Sequence, residues 1–226
     1  DNADLLNDPY YLGLNQRRLR GPLYDELMDE FMDAARQLFP GVLIQLEDFG
    51  NANAFRLLHR YRDQSPVFDD DIQGTAAVCL AGLYSALRIT GQQLNDQRIL
   101  FLGAGEAGIG IGELTAAAMA AQGLSIEAAR QRCWFVDSRG LVVKSRTDLT
   151  AHKLPFAHDH APVREFLDAV HALKPTAIVG VSAQAGLFTR EVLEAMATYN
   201  QRPMVFALSN PTSKAECTAE EAYIWT

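Results

Sequence analysis

Cysteine is scarce in this chain. It has three in 226 residues, Cys79, Cys133 and Cys217. They are odd in number and far apart, which argues against a disulfide framework and against a zinc knuckle. Reduced thiols in a reducing compartment are expected, read here as the cytoplasm. An organelle stays open because the first residue is Asp1 rather than Met. Long runs of one charge sign are also missing, and the formal net charge is −8. A nucleic-acid-binding surface is therefore not expected. No stretch reads as a signal peptide or a membrane span, and there is no internal repeat or low-complexity tract. What is present is apolar residue in quantity, 48% of the chain. That is enough for a substantial core, in one large α/β domain or one and a half smaller ones.

Along the chain, Pro22 opens an amphipathic helix over residues 22–38, with Leu23, Leu27, Phe31 and Leu38 at helical spacing and expected inward. Residues 42–46 read as a short buried strand ending at Glu47-Asp48. A helix follows over 51–62, then Pro66, then an extended run over 67–71 and an apolar helix over 75–87. From residue 98 the pattern alternates. Strands are expected at 98–102, 134–137, 176–181 and 204–208, with a short extension at 141–143. Helices are expected over the stretch to 121 and at 125–130, 163–173 and 189–198. Such alternation predicts a Rossmann-like, doubly wound parallel sheet, an α/β fold. The preceding helical and β segment, residues 1–74, is read as part of a substrate- and metal-binding domain, and residues 75–226 as a dinucleotide-binding domain. Both ends look cut, since the helix begun at 219 stops within two turns. Thr218 and Glu221 are spaced as a capping box.

Three features carry chemistry. Gly103-Ala104-Gly105-Glu106-Ala107-Gly108 follows a strand and opens a helix, the context in which GxGxxG holds a pyrophosphate on helix N–H groups. A glycine-rich helix packed on a sheet is the blander reading. Asp137 ends the next strand, where an acid holds a ribose hydroxyl. It lies 34 residues beyond Gly103, more than the usual figure, so a plain turn-capping Asp stays open. Glu47-Asp48 and Asp69-Asp70-Asp71 end neighbouring extended runs. Together they can offer oxygens to a hard divalent cation, or simply be solvated loop acids. The histidines are assigned to no metal, and His158 and His160 are read as lying in a solvent-exposed loop. Asn210 reads as a turn residue before Pro211.

Longer motifs narrow these readings. Leu46-Glu47-Asp48-Phe49-Gly50-Asn51-Ala52-Asn53-Ala54-Phe55, Phe68-Asp69-Asp70-Asp71-Ile72-Gln73-Gly74-Thr75 and Phe206-Ala207-Leu208-Ser209-Asn210-Pro211-Thr212 resemble the malic enzymes. So do Asp8-Pro9-Tyr10-Tyr11-Leu12-Gly13-Leu14 and the Gly103–Gly108 turn. The resemblance implies oxidative decarboxylation of malate to pyruvate and CO2 with reduction of NADP, or of NAD. It implies Mn²⁺ or Mg²⁺ on Glu47, Asp48 and Asp71, with Asp70 tuning the catalytic lysine. Asn210 would contact the malate carboxylate, and Asn51, Val181 and Ser182 would lie near the cofactor. Asp69 stands where the family usually has Asn. Members that use NADP resemble this chain at Ser138 and Lys153, and Lys153 would meet the 2′-phosphate.

The family's acid, a tyrosine, its base, a lysine, and an arginine that grips malate belong to a segment upstream of Asp1. A second substrate asparagine lies beyond Thr226. The chain alone is therefore expected to bind metal and dinucleotide without turning over malate. The full-length protein is expected to be a dimer or tetramer, with no nucleic-acid or membrane partner. Two alternatives stay open: a catalytically silent dinucleotide-binding module, and an NAD-preferring malic enzyme.

Overall fold

The computed structural model describes residues 2–50 and 53–226; Asn51, expected near the cofactor, lies outside them. In chain order the elements are α1 (Ala3–Asn7), α2 (Pro22–Leu38), β1 (Ile44–Leu46), α3 (Ala54–Tyr61), β2 (Val67–Asp69), a π turn (Asp70–Gly74), α4 (Thr75–Thr90), β3 (Ile99–Leu102), α5 (Glu106–Ala121), α6 (Ile126–Arg130), β4 (Cys133–Asp137), β5 (Gly140–Leu141), α7 (Phe166–Leu173), β6 (Ala177–Gly180), α8 (Arg190–Tyr199), β7 (Met204–Ala207) and α9 (Ala219–Trp225). Each expected helix and strand finds its counterpart, most within a few residues of the expected ends. The capping box at Thr218 and Glu221 is formed.

The larger sheet has the order β5-β4-β3-β6-β7. β3, β4, β6 and β7 run parallel, and only β5 is antiparallel. β3 is buried along its whole length, because helices cover both faces. Its side chains alternate by the strand period. Ile99 and Phe101 join the core under α4 and α5, while Leu100 and Leu102 join the core under α7 and α8. β4 lies on one side of β3 and β6 on the other. The chain therefore reverses direction across the sheet at β3, and a crevice opens at the carboxyl ends of β3 and β6.

The first part of the chain builds a smaller layer. β1 and β2 pair in parallel, Leu46 opposite Asp69, over a core of Met28, Met32, Leu46, Leu57 and Tyr61. Here the expected face of α2 is corrected. Leu23, Leu27, Phe31 and Leu38 are exposed, and Met28 and Met32 are buried. Periodicity finds apolar stripes on a helix but not which of two adjacent stripes a neighbour covers. α3 selects the methionine side by ion pairs from Arg56 to Asp25 and Arg60 to Asp29, and the Tyr61 hydroxyl donates to Asp29 at 2.7 Å.

The π turn runs into α4 without a break, so residues 74 and 75, where the sequence places a boundary, lie in continuous helix. This stretch, Asp70–Thr90, is long and apolar enough to cross a membrane by length and composition alone. Ala76, Cys79, Leu83 and Leu87 pack in the core beside α5, while Val78 and Ile89 of the same helix are exposed. The histidine expected in solvent is a second correction. His158 is buried and stacked on Trp134, with its ring nitrogens hydrogen-bonded to the Cys133 carbonyl and the Gln131 side chain. All three cysteines are free and buried.

Candidate functional site: a dinucleotide cleft beside an acidic edge

The glycine turn after β3 forms the floor of the crevice. Gly103 has φ +115°, a conformation that an L side chain rarely adopts, and a Cβ there would strike the Val181 carbonyl. A Cβ on Gly108 would strike the Gly103 carbonyl, so only glycine lets α5 begin this close to the turn. Gly105 caps α5 without a side-chain hydrogen bond, leaving the first N–H groups to face the crevice. The open cleft above has a volume of about 1050 Å³. Gly103, Gly105, Glu106 and Ala107 line it, together with Asp137, Ser138 and Lys153 on one side and Val181 and Ser182 on the other. Sequence reasoning thus named residues from four separate segments that the fold brings to one cavity.

At the β4 end of the cleft the charges are already paired. Asp137, at the end of β4, accepts from Arg146 at 2.9 and 3.1 Å, from Lys153 Nζ at 2.7 Å and from the Arg139 amide at 2.9 Å. Arg146 also holds Asp148 at 2.6 Å, and Arg139 reaches Asp148 at 3.2 Å. Burial pushes the Asp137 carboxyl up, but hydrogen bonds from Arg146 and Lys153 outweigh it and hold the group below its usual range. Two carboxylates here face three cations. Arg146 had no signal in the sequence, because the loop that carries it has no periodicity.

The acidic edge differs. Glu47 and Asp48 follow β1, and Asp69 ends β2 directly opposite Leu46. Asp48 has φ +60°, and its amide donates to Asp71 Oδ2 at 2.7 Å, tying the two acidic turns together. Glu47 accepts from Gln45 at 2.9 Å. Asp71 lines the large cleft, whereas Glu47 and Asp48 line a neighbouring cavity of about 570 Å³. Asp70 is half-buried at the start of the π turn. Asp69 is fully buried. One of its oxygens caps the Ile72 amide at 2.9 Å and the other has no partner. Burial, then the neighbouring Asp71 and Asp70, push its carboxyl up.

Glu106, at the start of α5, faces the same acids. Burial first, then Asp71, Asp69 and Asp48, push it up to about 7, and its Oε1 is buried without a partner. α5 sits this close because Gly110 has no side chain to strike the Ile72 carbonyl. Among the described residues no three acidic, histidine or cysteine side chains are gathered as a ready metal cage. The donor chemistry nonetheless suits a hard divalent cation, since Glu47, Asp48 and Asp71 offer carboxylate oxygens from two turns joined by the Asp48–Asp71 hydrogen bond.

Asn210 follows β7, exposed, with a cis peptide to Pro211. It does not line the large cleft. Its neighbour Ser209 bonds to the 182–183 turn: the Ala183 amide donates to Ser209 Oγ at 2.9 Å.

A glycine turn at the switch point of a parallel sheet, with paired charges at one end, defines a dinucleotide-binding α/β protein. The family models described as malic enzyme, NAD binding domain, and malic enzyme, N-terminal domain, match residues 72–226 and 1–62. The chain belongs to the malic enzyme family. It is 56% identical over 227 residues to an NADP-dependent malic enzyme of Anas platyrhynchos, covering 100% of this chain and 41% of that protein. To the chloroplastic NADP-dependent malic enzyme of Flaveria pringlei it is 55% identical, covering 100% of this chain and 35% of that one. The chain thus spans roughly two-fifths of these relatives' length. Among solved structures it superposes on the malic enzyme of Entamoeba histolytica with TM-score 0.73 and 25% identity, over 88% of this chain and 40% of that one.

Proposed function

We propose that the full-length protein is an NADP-dependent malic enzyme, oxidatively decarboxylating malate to pyruvate and CO2, and that this chain supplies its dinucleotide cleft and metal-holding acids. The cationic network of Arg146, Lys153 and Arg139 around Asp137 and Asp148 carries the reading. Its excess positive charge suits a 2′-phosphate, with Lys153 as the direct contact and Ser138 beside it. The glycine turn and the N-terminus of α5 hold the pyrophosphate. Val181 and Ser182, across the cleft, bound the nicotinamide end. Asn210 orients the malate carboxylate.

Glu47, Asp48 and Asp71 would hold Mn²⁺ or Mg²⁺. Bound there, the cation would stabilise negative charge on the substrate's oxygens while NADP accepts the hydride. Asp70 adjoins these ligands and tunes the base. The described residues lining the cleft include no tyrosine, and the one lysine is Lys153, already bound to Asp137. We read the acid and base as supplied by segments of the full-length protein outside this chain. A homo-oligomer in the cytoplasm is the expected setting; the buried free thiols accord with a reducing compartment.

The test is NADP reduction by the full-length protein with malate and Mn²⁺, followed at the nicotinamide absorbance with pyruvate assayed in parallel. Equal NADPH and pyruvate, faster with NADP than with NAD, is the expected result. The 226-residue chain should bind NADP without turnover. NADP binding by the full-length protein with no pyruvate formed would make it a silent dinucleotide-binding module.

A further inference from the structure

We propose that Glu216 is a positioning residue, whose buried carboxylate locks the cofactor-side turn at Ser182 to the substrate-side turn at Ser209 and Asn210. The inference rests on the reading above of the Val181–Ser182 turn and of Asn210. Glu216 follows the short 3₁₀ turn Thr212–Lys214 and is fully buried. Its Oε1 accepts three hydrogen bonds: from the Ser182 amide at 2.9 Å, from Ser182 Oγ at 2.7 Å and from Ser209 Oγ at 2.6 Å. Oε2 accepts from the Ser209 amide at 3.4 Å. All four donors are neutral backbone or hydroxyl groups, supplied from two loops.

The lock is built in more than one way. Ser209 Oγ accepts from the Ala183 amide while donating to Glu216, so each turn is tied to the other as well as to the carboxylate. Ala183 stands at φ +55°, a left-handed conformation that needs such fixing. Ser182 Oγ also accepts from the Gln184 amide at 3.2 Å. Beneath, Gly180 at the end of β6 leaves the room that the carboxylate fills, since a Cβ there would lie within its van der Waals radius. The backbone around Glu216 reinforces the placement, with the Phe188 amide donating to its carbonyl at 3.0 Å.

A buried carboxylate with four donors is stable while the donors stay, and costly once any leaves. It therefore admits one relative placement of the two turns. One turn bounds the nicotinamide end of the cleft, and the other carries Asn210. Hydride transfer depends steeply on that relative placement, since a misplacement of about 1 Å costs on the order of a hundredfold in rate.

The test uses the full-length protein. Glu216→Ala is expected to lower malate kcat/KM by on the order of a hundredfold, with a rise in the malate KM as well as a fall in kcat. The fluorescence gained by NADPH on binding should fall, because the nicotinamide end is no longer held. Binding of 2′,5′-ADP, which fills only the ribose-phosphate end, should stay unchanged. Glu216→Gln keeps an acceptor at the Oε1 position and should restore most of the activity. Unchanged kinetics and NADPH fluorescence in Glu216→Ala, with 2′,5′-ADP still bound, would overturn the proposal. So would a Glu216→Gln variant as impaired as Glu216→Ala. Should Glu216→Ala lose 2′,5′-ADP binding through misfolding, Ser209→Ala decides. It should show the same pattern in smaller degree, and unaltered parameters would overturn the inference. Absence of malate turnover in the unaltered protein would instead defeat the enzyme reading, and the NADPH fluorescence of the variants would still decide the lock.

Discussion

The two halves of the site treat charge in opposite ways. In the cleft above the glycine turn, Asp137 is enclosed by Arg146 and Lys153, and Arg146 also pairs with Asp148. At the acidic edge, Glu47, Asp48, Asp70 and Asp71 are gathered from two neighbouring turns, and Glu106 behind them is pushed up to about 7, by burial first and then by Asp71, Asp69 and Asp48. The first arrangement is organised before any ligand arrives. The second is a set of like charges whose mutual repulsion a cation would relieve. A loop network of paired charges keeps its geometry unaided, whereas a carboxylate site acquires its geometry together with its metal.

Four substitutions break or sharpen this contrast. Asp71→Ala should lower Mn²⁺ affinity of the full-length protein by on the order of a hundredfold or more, because even residues behind a ligand cost that much. Calorimetry reads it, and an unchanged affinity removes Asp71 from the ligand set. In the cleft, Arg146→Met leaves two carboxylates without their shared cation. A loss of about 3 kcal/mol in unfolding free energy is expected from breaking a largely buried pair. Chemical denaturation with an unmoved midpoint would show that the network does not organise the cleft.

Lys153→Ala removes one charge-assisted contact, about 1.5–3 kcal/mol. NADP affinity should fall about tenfold to a hundredfold while NAD affinity hardly moves. Equal losses for both cofactors would place Lys153 away from the 2′-phosphate. The smallest effect is on pH dependence. Glu106 has a folded value of about 7, above the ordinary 4.5. The folded protein therefore binds this proton more tightly, and its contribution to stability declines as pH rises from about 4.5 to about 7. In metal-free protein, Glu106→Gln should flatten that decline, seen as a gain in urea midpoint near neutral pH that disappears in acid. An identical gain at both ends of that range would mean the acids do not act on Glu106.

The legible parts of this molecule were those in which a local pattern had one structural outcome. The Gly103–Gly108 turn sat between an apolar strand and a helix, and it took the expected place. The alternation after residue 98 carried the sheet, because strands buried on both faces read as continuous apolar runs. The face of α2 was misread because two apolar stripes compete on it and α3's arginines choose between them. His158 was misread because its burial depends on Trp134 and Gln131, distant in sequence. Arg146, the buried side of Glu106 and Glu216 gave no sequence signal. Each gains its meaning from a residue on another element: Asp137 on β4, the acids after β1 and β2, and Gly180 on β6. For the acidic edge the long motifs named the residues, and the fold then brought their turns together through the Asp48–Asp71 hydrogen bond.

The contrast between the two halves is tested most directly by titrating NADP, and separately NAD, into the metal-free full-length protein by calorimetry. The account predicts that NADP binds without Mn²⁺ and more tightly than NAD by about tenfold or more, the share of one charge-assisted phosphate contact. Equal affinity for the two cofactors, or NADP binding that appears only after Mn²⁺ is added, would contradict it.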